Sequence, residues 1–305
     1  VACLSVFASA LGWRSVDPML PVIASDVGVS LRDAVLLSSA FSFPLAIMQV
    51  VFGPVGDAWG KVRVVRVSLA VVAVSLVLMA IAPGFTTLIL ARILGGAFSG
   101  GVNPVMLALI GERIAYGQRQ VALGKFLAAM IGGQMVGAAA AGMLVDMVGW
   151  RAVFGCAAIV VAMASLLAFH LLDAKLEQRR ELSFSGALRN YRAILGDPRA
   201  RLVLVTLVLE GILVLSLIPF VAGMVMLHGA TGSGSAAAGI VIAGFAVGGV
   251  AFGFLVRRIL AALGQWNMVR AGSILAGTAL LLTALPAHWG VIAGLFFVVG
   301  FAFYM

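Results

Sequence analysis

Four ionisable side chains fall deep inside long apolar runs: Arg14 and Asp17 in the first run, Arg92 in the fourth and Glu210 in the seventh. A charge at the centre of a membrane helix costs about 2.5–3.5 kcal/mol on insertion scales, so each needs a partner or a wet cavity. Arg14 and Asp17 stand at i and i+3, on one helix face, and can pair. They are either a static pair that fixes their helix or part of a solute path. Arg92 either lines a cavity or ties its helix to backbone carbonyls. Glu210 has no base one turn away, and a lone desolvated carboxyl suits a group that takes up and releases a proton. Gln49 and Gln134, in the second and fifth runs, are cavity polar groups or hydrogen-bonding glue between helices.

Other chemistries find no footing in the sequence. No Gly-x-x-x-x-Gly-Lys-Ser/Thr phosphate loop occurs, which excludes an on-chain ATPase of that kind. Nucleophile, base and metal-ligand clusters are missing. His170, His228 and His288 are scattered near the ends of runs and make no metal site. Cys3 and Cys156 are expected to be buried thiols without a disulfide framework. The reading is of a non-enzyme with no cofactor and no metal.

The elements that hold these residues are membrane helices. The chain is 63% hydrophobic and 10% charged, with mean hydropathy +1.17, whereas soluble domains carry about 25% charged residues. A bilayer core needs about 20 apolar residues per helix. Such runs lie at roughly 1–24, 34–56, 64–82, 86–111, 121–145, 152–172, 202–227, 235–256, 268–285 and 290–305. The short alternating segments of a β-barrel do not occur.

A net charge of +9 could point to nucleic acid, but its placement points to topology. Lys61, Arg63 and Arg66 lie between runs two and three, and Arg113, Arg119 and Lys125 between four and five. Lys175, Arg179, Arg180, Arg189, Arg192, Arg199 and Arg201 lie between six and seven, and Arg257, Arg258 and Arg270 between eight and nine. The opposite side holds only Arg32 and Arg151. The basic side is therefore expected to be cytoplasmic and in contact with anionic lipid, with the first helix entering from the cytoplasm.

Gly53-Pro-Val-Gly56-Asp57-Ala-Trp-Gly60-Lys61-Val-Arg63 reads as a short basic turn between two spans, with glycines where tight turning and close helix approach need them. Gly253-Phe-Leu-Val-Arg257-Arg258 and then Gly264 read as a worn copy of it, without the acid. The polar stretch 173–201 divides the chain into a six-run part, 1–172, and a shorter part, 202–305. Leu182, Phe184, Leu188, Tyr191, Ile194 and Leu195 would place one amphipathic surface helix in that linker, ended by Asp197-Pro198. The chain is expected to continue beyond both ends, since it is apolar from Val1 and stops at Met305 within an apolar run.

The Gly53–Arg63 spacing resembles the loop signature of the major facilitator superfamily. Asp17-Pro18-Met-Leu-Pro21, Leu88-Ile-Leu-Ala-Arg92-Ile-Leu-Gly95-Gly96 and Gly133-x-x-x-Gly137-Ala138-x-x-Ala141-Gly142 are similar to signatures of its drug/proton antiporter branch. Gly95 stands where glutamine is usual, Ala138 replaces a proline and Ala141 a glycine, which weakens the branch assignment. Gly149-Trp150-Arg151-x-Val-Phe154 is also common in the superfamily. The resemblance implies an all-α polytopic bundle of two pseudo-symmetric six-helix halves, the second truncated here. It implies a central cavity lined by helices 1, 4, 7 and 10, and all four deep charges fall on the first three of those. It also implies that Asp57 latches the halves together through helix 11.

The expected function is secondary transport by alternating access, moving a small, amphiphilic solute with proton-coupled efflux favoured. A proton symporter or facilitator importing a metabolite, or a non-transporting receptor or scaffold of the same fold, are the rivals. Expected partners are a small-molecule substrate, protons and the lipid bilayer, with no nucleic acid, acting as a monomer in a bacterial inner membrane.

Overall fold

The computed structural model describes residues 1–172, 191–230, 234–285 and 287–305. In chain order its helices are α1 (Ala2–Arg14), α2 (Leu20–Val27), α3 (Leu31–Ala34), α4 (Leu36–Trp59), α5 (Lys61–Ala80), α6 (Phe85–Ser99), α7 (Val102–Arg113) and α8 (Tyr116–Leu171), followed by α9 (Pro198–Val214), α10 (Val221–Leu227), α11 (Ser235–Leu282) and α12 (Trp289–Phe303). Among the described residues six helices are long and apolar enough to cross a membrane. Two very long ones, α8 and α11, are each a pair of helices joined at one glycine, Gly149 (φ 78°) and Gly264 (φ 71°). Only glycine enters that region without steric cost. The outer surface is itself apolar, with Phe43, Ile159, Leu166 and Ile274 exposed, as lipid contact requires.

The first apolar run is not the single span the sequence suggested. Pro18 and Pro21 have no N–H, so the carbonyls of Arg14 and Asp17 lose their helical donors. The chain responds by ending α1 at Arg14, making a short 3₁₀ turn at Asp17–Met19 and restarting as α2. The fourth run breaks the same way at residues 100–101, where Pro104 removes the donor for the Gly100 carbonyl.

The basic hairpin also differs from expectation. Gly53 to Trp59 continue α4, and the turn is Gly60 alone, at φ 100° and ψ 126°. Gly56 serves packing: a methyl there would stand 3.3 Å from Val105. Gly264 repeats this one-glycine turn in the second part of the chain.

Two apolar clusters form the interior. One joins residues from Val6 to Ala168, and the other joins Val214, Ile218, Val241, Ile292 and Val299 with Ala138 of α8. Cβ atoms added at Gly133 and Gly137 would collide with the carbonyl oxygens of Phe7 and Leu11, so α8 lies directly on α1. One added at Gly142 would collide with the carbonyl of Ser235, so α8 and α11 touch backbone to backbone. That crossing is at the end opposite the basic loops.

Cys3 and Cys156 are exposed, contrary to expectation. Burial in lipid is not burial in protein, and composition does not separate the two. Most of the expected surface helix lies outside the described residues. Its last part, 191–196, is helical, and the Tyr191 hydroxyl donates to the Val50 carbonyl at 3.3 Å. Pro54 has deprived that carbonyl of its own helical donor.

Candidate functional site

The break in the first span creates two helix ends inside the apolar bundle. The carbonyl end of α1 carries partial negative charge, and the amide end of the returning segment carries partial positive charge. The side chains match. Arg92 of α6 donates from Nη1 to the Gly12 carbonyl at 3.3 Å and from Nη2 to the Trp13 carbonyl at 3.2 Å, while its Nε donates to the Leu37 carbonyl at 3.0 Å. It is 1% exposed, which is tolerable only because all three nitrogens are occupied. Asp17 sits in the first turn of the returning segment, also buried.

Arg14 and Asp17 pair as their spacing suggested, Nη1 to Oδ2 at 3.3 Å. The pair is embedded in further contacts: Ser38 donates its hydroxyl to Asp17 Oδ1 at 2.6 Å, and Arg14 Nε donates to Gln134 Oε1 at 3.3 Å. Arg14 lies over the Trp13 ring at 4.7 Å and Arg92 over the Phe41 ring at 4.3 Å, and these two rings stack at 6.1 Å. Arg92 also stands in the fields of Asp17 and Arg14. The structure thus brings Arg14, Asp17, Arg92 and Gln134 together from α1, the 3₁₀ turn that follows it, α6 and α8.

Gln49 and Glu210 are not part of this cluster. Gln49 lies about two turns along α4 from Phe41, where α4 crosses Gly100 at close range. Glu210 is a half-buried residue of α9, a helix whose neighbouring residues 201–209 are exposed.

A second charged group sits at the basic end. Lys61 Nζ contacts Asp57 Oδ1 at 2.6 Å and Glu112 Oε1 at 3.0 Å, with the Lys61 side chain 10% exposed. Glu112, the penultimate residue of α7, was not singled out from the sequence; its only signal is an acid beside Arg113 at a basic helix end. Arg63 points outward and is exposed. At the other end, Asp26 Oδ2 accepts from Arg151 Nη1 at 2.6 Å and from Trp150 Nε1 at 3.0 Å, and Arg151 Nη2 donates to the Ala82 carbonyl at 3.3 Å. Arg151 stacks on Trp150 at 4.0 Å. Hydrogen bonds from Arg151 first and Trp150 second hold the Asp26 carboxyl below its usual range.

These features define a polytopic helical membrane protein with charges gathered where its first helix is broken. A family profile, that of the Major Facilitator Superfamily, matches residues 2–305, and the chain belongs to that superfamily of membrane transporters. It is 25% identical over 154 residues to an uncharacterised transporter of this type, YybF of Bacillus subtilis, a match covering 50% of this chain and 38% of YybF. It is 32% identical over 112 residues to the quinolone resistance protein NorA of Staphylococcus aureus, covering 37% of this chain and 29% of NorA. The matches thus span well under half the length of these curated relatives. The fold is similar to that of a mutant of the nucleoside transporter NupG, with TM-score 0.76 and 16% identity, over 99% of this chain and 79% of that one.

Proposed function

We propose that this chain carries a small, amphiphilic solute across a bacterial inner membrane by alternating access, as a proton-coupled exporter. Its two parts, 1–172 and 202–305, rock against each other, with 173–201 as a cytoplasmic linker and the basic loops on the cytoplasmic side. The observation that carries this reading is the buried cluster of Arg14, Asp17, Arg92 and Gln134 at the broken first span. Static bundles have little use for an interrupted helix with charges at both exposed ends; a solute path does. The backbone contact of Gly142 with Ser235 supports a state closed at the end away from the basic loops. The Asp57–Lys61–Glu112 group supports a second closure device at the basic end. Glu210 is the candidate proton carrier. The resistance function named for NorA favours export.

Inside-out vesicles containing the protein test this directly. A proton gradient should drive solute accumulation that collapses with a protonophore. Solute flux indifferent to the gradient would leave a facilitator. Binding without flux would leave a receptor of the same fold.

A further inference from the structure

His228 and His288 are far apart in sequence, but the fold sets them side by side at the end opposite the basic loops. His228 is the residue that ends α10, and His288 is the residue that opens α12. The Trp289 N–H donates to the His228 carbonyl at 3.0 Å and ties the two helix ends together. Beside them opens a cavity of about 470 Å³, lined among the described residues by Leu227, His228, Ala284, Ala287 and His288. A volume of that size takes a small molecule.

The backbone fixes what each ring can offer. His228 Nδ1 lies 2.8 Å from the Met224 carbonyl. A carbonyl only accepts, so this Nδ1 carries the proton, and Nε2 of the neutral ring keeps its lone pair. His288 is set the other way. Its Nδ1 accepts from the Gly290 N–H at 3.1 Å, capping α12, so in the neutral ring the proton sits on Nε2. Neither Nε2 has a partner among the described residues. With both Nδ1 atoms occupied, the rings offer the cavity one acceptor, His228 Nε2, and one donor, His288 Nε2–H. The other lining residues are apolar, and the His288 ring packs on Trp289 with centroids 5.4 Å apart.

These features select among ligand classes. No Asp, Glu, Lys or Arg is among the lining residues, so an ion would lose hydration there without meeting a counter-charge. A metal ion would need lone pairs on both Nε2 atoms. In His288 that moves the ring proton onto Nδ1, against the Gly290 N–H that it accepts. A hydroxyl fits both rings, because it donates to His228 and accepts from His288. We propose that this cavity binds a neutral, hydroxyl-bearing amphiphile, with His228 as acceptor, His288 as donor and Leu227, Ala284 and Ala287 against the apolar body. The assignment goes beyond the transport reading and does not rest on it.

Calorimetric titration of the protein in lipid nanodiscs with 2-naphthol and 2-methoxynaphthalene tests this, with empty discs giving the partition background. The ether can accept from His288 but has no proton for His228. Naphthol should bind about fivefold tighter than the ether. Asparagine at either position drops Nε2 and keeps the backbone contact: an amide N–H for the Met224 carbonyl, or an oxygen to cap α12. His228→Asn should weaken naphthol by about fivefold and leave the ether within about twofold. His288→Asn should weaken both probes by about fivefold. Equal binding of the two probes to the wild type, binding of neither, or an unchanged naphthol affinity in His228→Asn overturns the assignment. Zn²⁺ that displaces naphthol and is itself lost in both variants overturns it too, making the pair metal ligands. Absent vesicle flux with this binding pattern intact sinks the transport reading alone.

Discussion

Lys61 reaches Glu112 across the gap between α5 and α7, Nζ to Oε1 at 3.0 Å, while holding Asp57 at 2.6 Å. One ammonium group thus ties the ends of three helices, and Asp57 and Glu112 share it. Asp57→Asn and Glu112→Gln should each slow turnover by about tenfold, the loss of roughly 1.4 kcal/mol from the favoured state. Solute affinity should stay within a few-fold, because Asp57 and Glu112 are remote from the Arg14 cluster. Rapid-mixing flux set beside equilibrium binding checks this. A large affinity loss with normal turnover would place Asp57 in the solute path instead.

Arg14 and Asp17 should behave as a coupled pair. Removing one partner of a buried pair leaves an uncompensated charge and costs about 3–5 kcal/mol. Arg14→Gln and Asp17→Asn should each lower unfolding stability in detergent by amounts in that range, and the double variant by less than their sum. Strict additivity in the cycle would show that the 3.3 Å contact carries no coupling.

Gly142→Leu should jam the closed end. The new side chain meets the backbone of α11 at Ser235 and Gly239, which cannot move aside as a flexible side chain could. Transport should fall to background. A cysteine introduced at Ala138, which is 0% exposed on the same crossing, should label faster in the Gly142→Leu background than without it. Unchanged labelling would mean that the crossing already opens freely.

Acid should release the clamp around Asp26. Its carboxyl titrates below the ordinary value when folded, because Arg151 and then Trp150 donate to the ionised form. The stabilisation is therefore fully present above the unfolded pKa of about 3.9 and is lost as pH falls through the lower folded value. The gap in melting temperature between wild type and Asp26→Asn should be constant near neutrality and close below about pH 4. A gap that persists at pH 3 would assign the difference to packing.

Glu210→Gln mimics the protonated acid permanently. Gradient-driven transport should be abolished, while solute binding and passive exchange survive. Full coupled transport with unchanged pH dependence would move the coupling role elsewhere, with Asp17 next in line.

Hydrophobic length is a local property, so the sequence alone determined the membrane class and the placement of the apolar runs. The spacing of Arg14 and Asp17 on one helix face was legible for the same reason, but the turn expected over Gly53–Arg63 is Gly60 alone. Pro18 and Pro21 are visible in the sequence too, but a proline in a membrane helix is tolerated when its neighbours satisfy the freed carbonyls, so their presence does not by itself place a break. Only the tertiary structure decided which neighbours those are. Arg92 lies about eighty residues from the carbonyls of Gly12 and Trp13 that it satisfies, and no periodicity encodes that meeting. The same holds for Ser38 on Asp17, Gln134 on Arg14 and Glu112 on Lys61. Packing of distant helices brings them within hydrogen-bond reach, and a hydrogen bond is decided over a few ångströms that sequence spacing across separate helices does not fix.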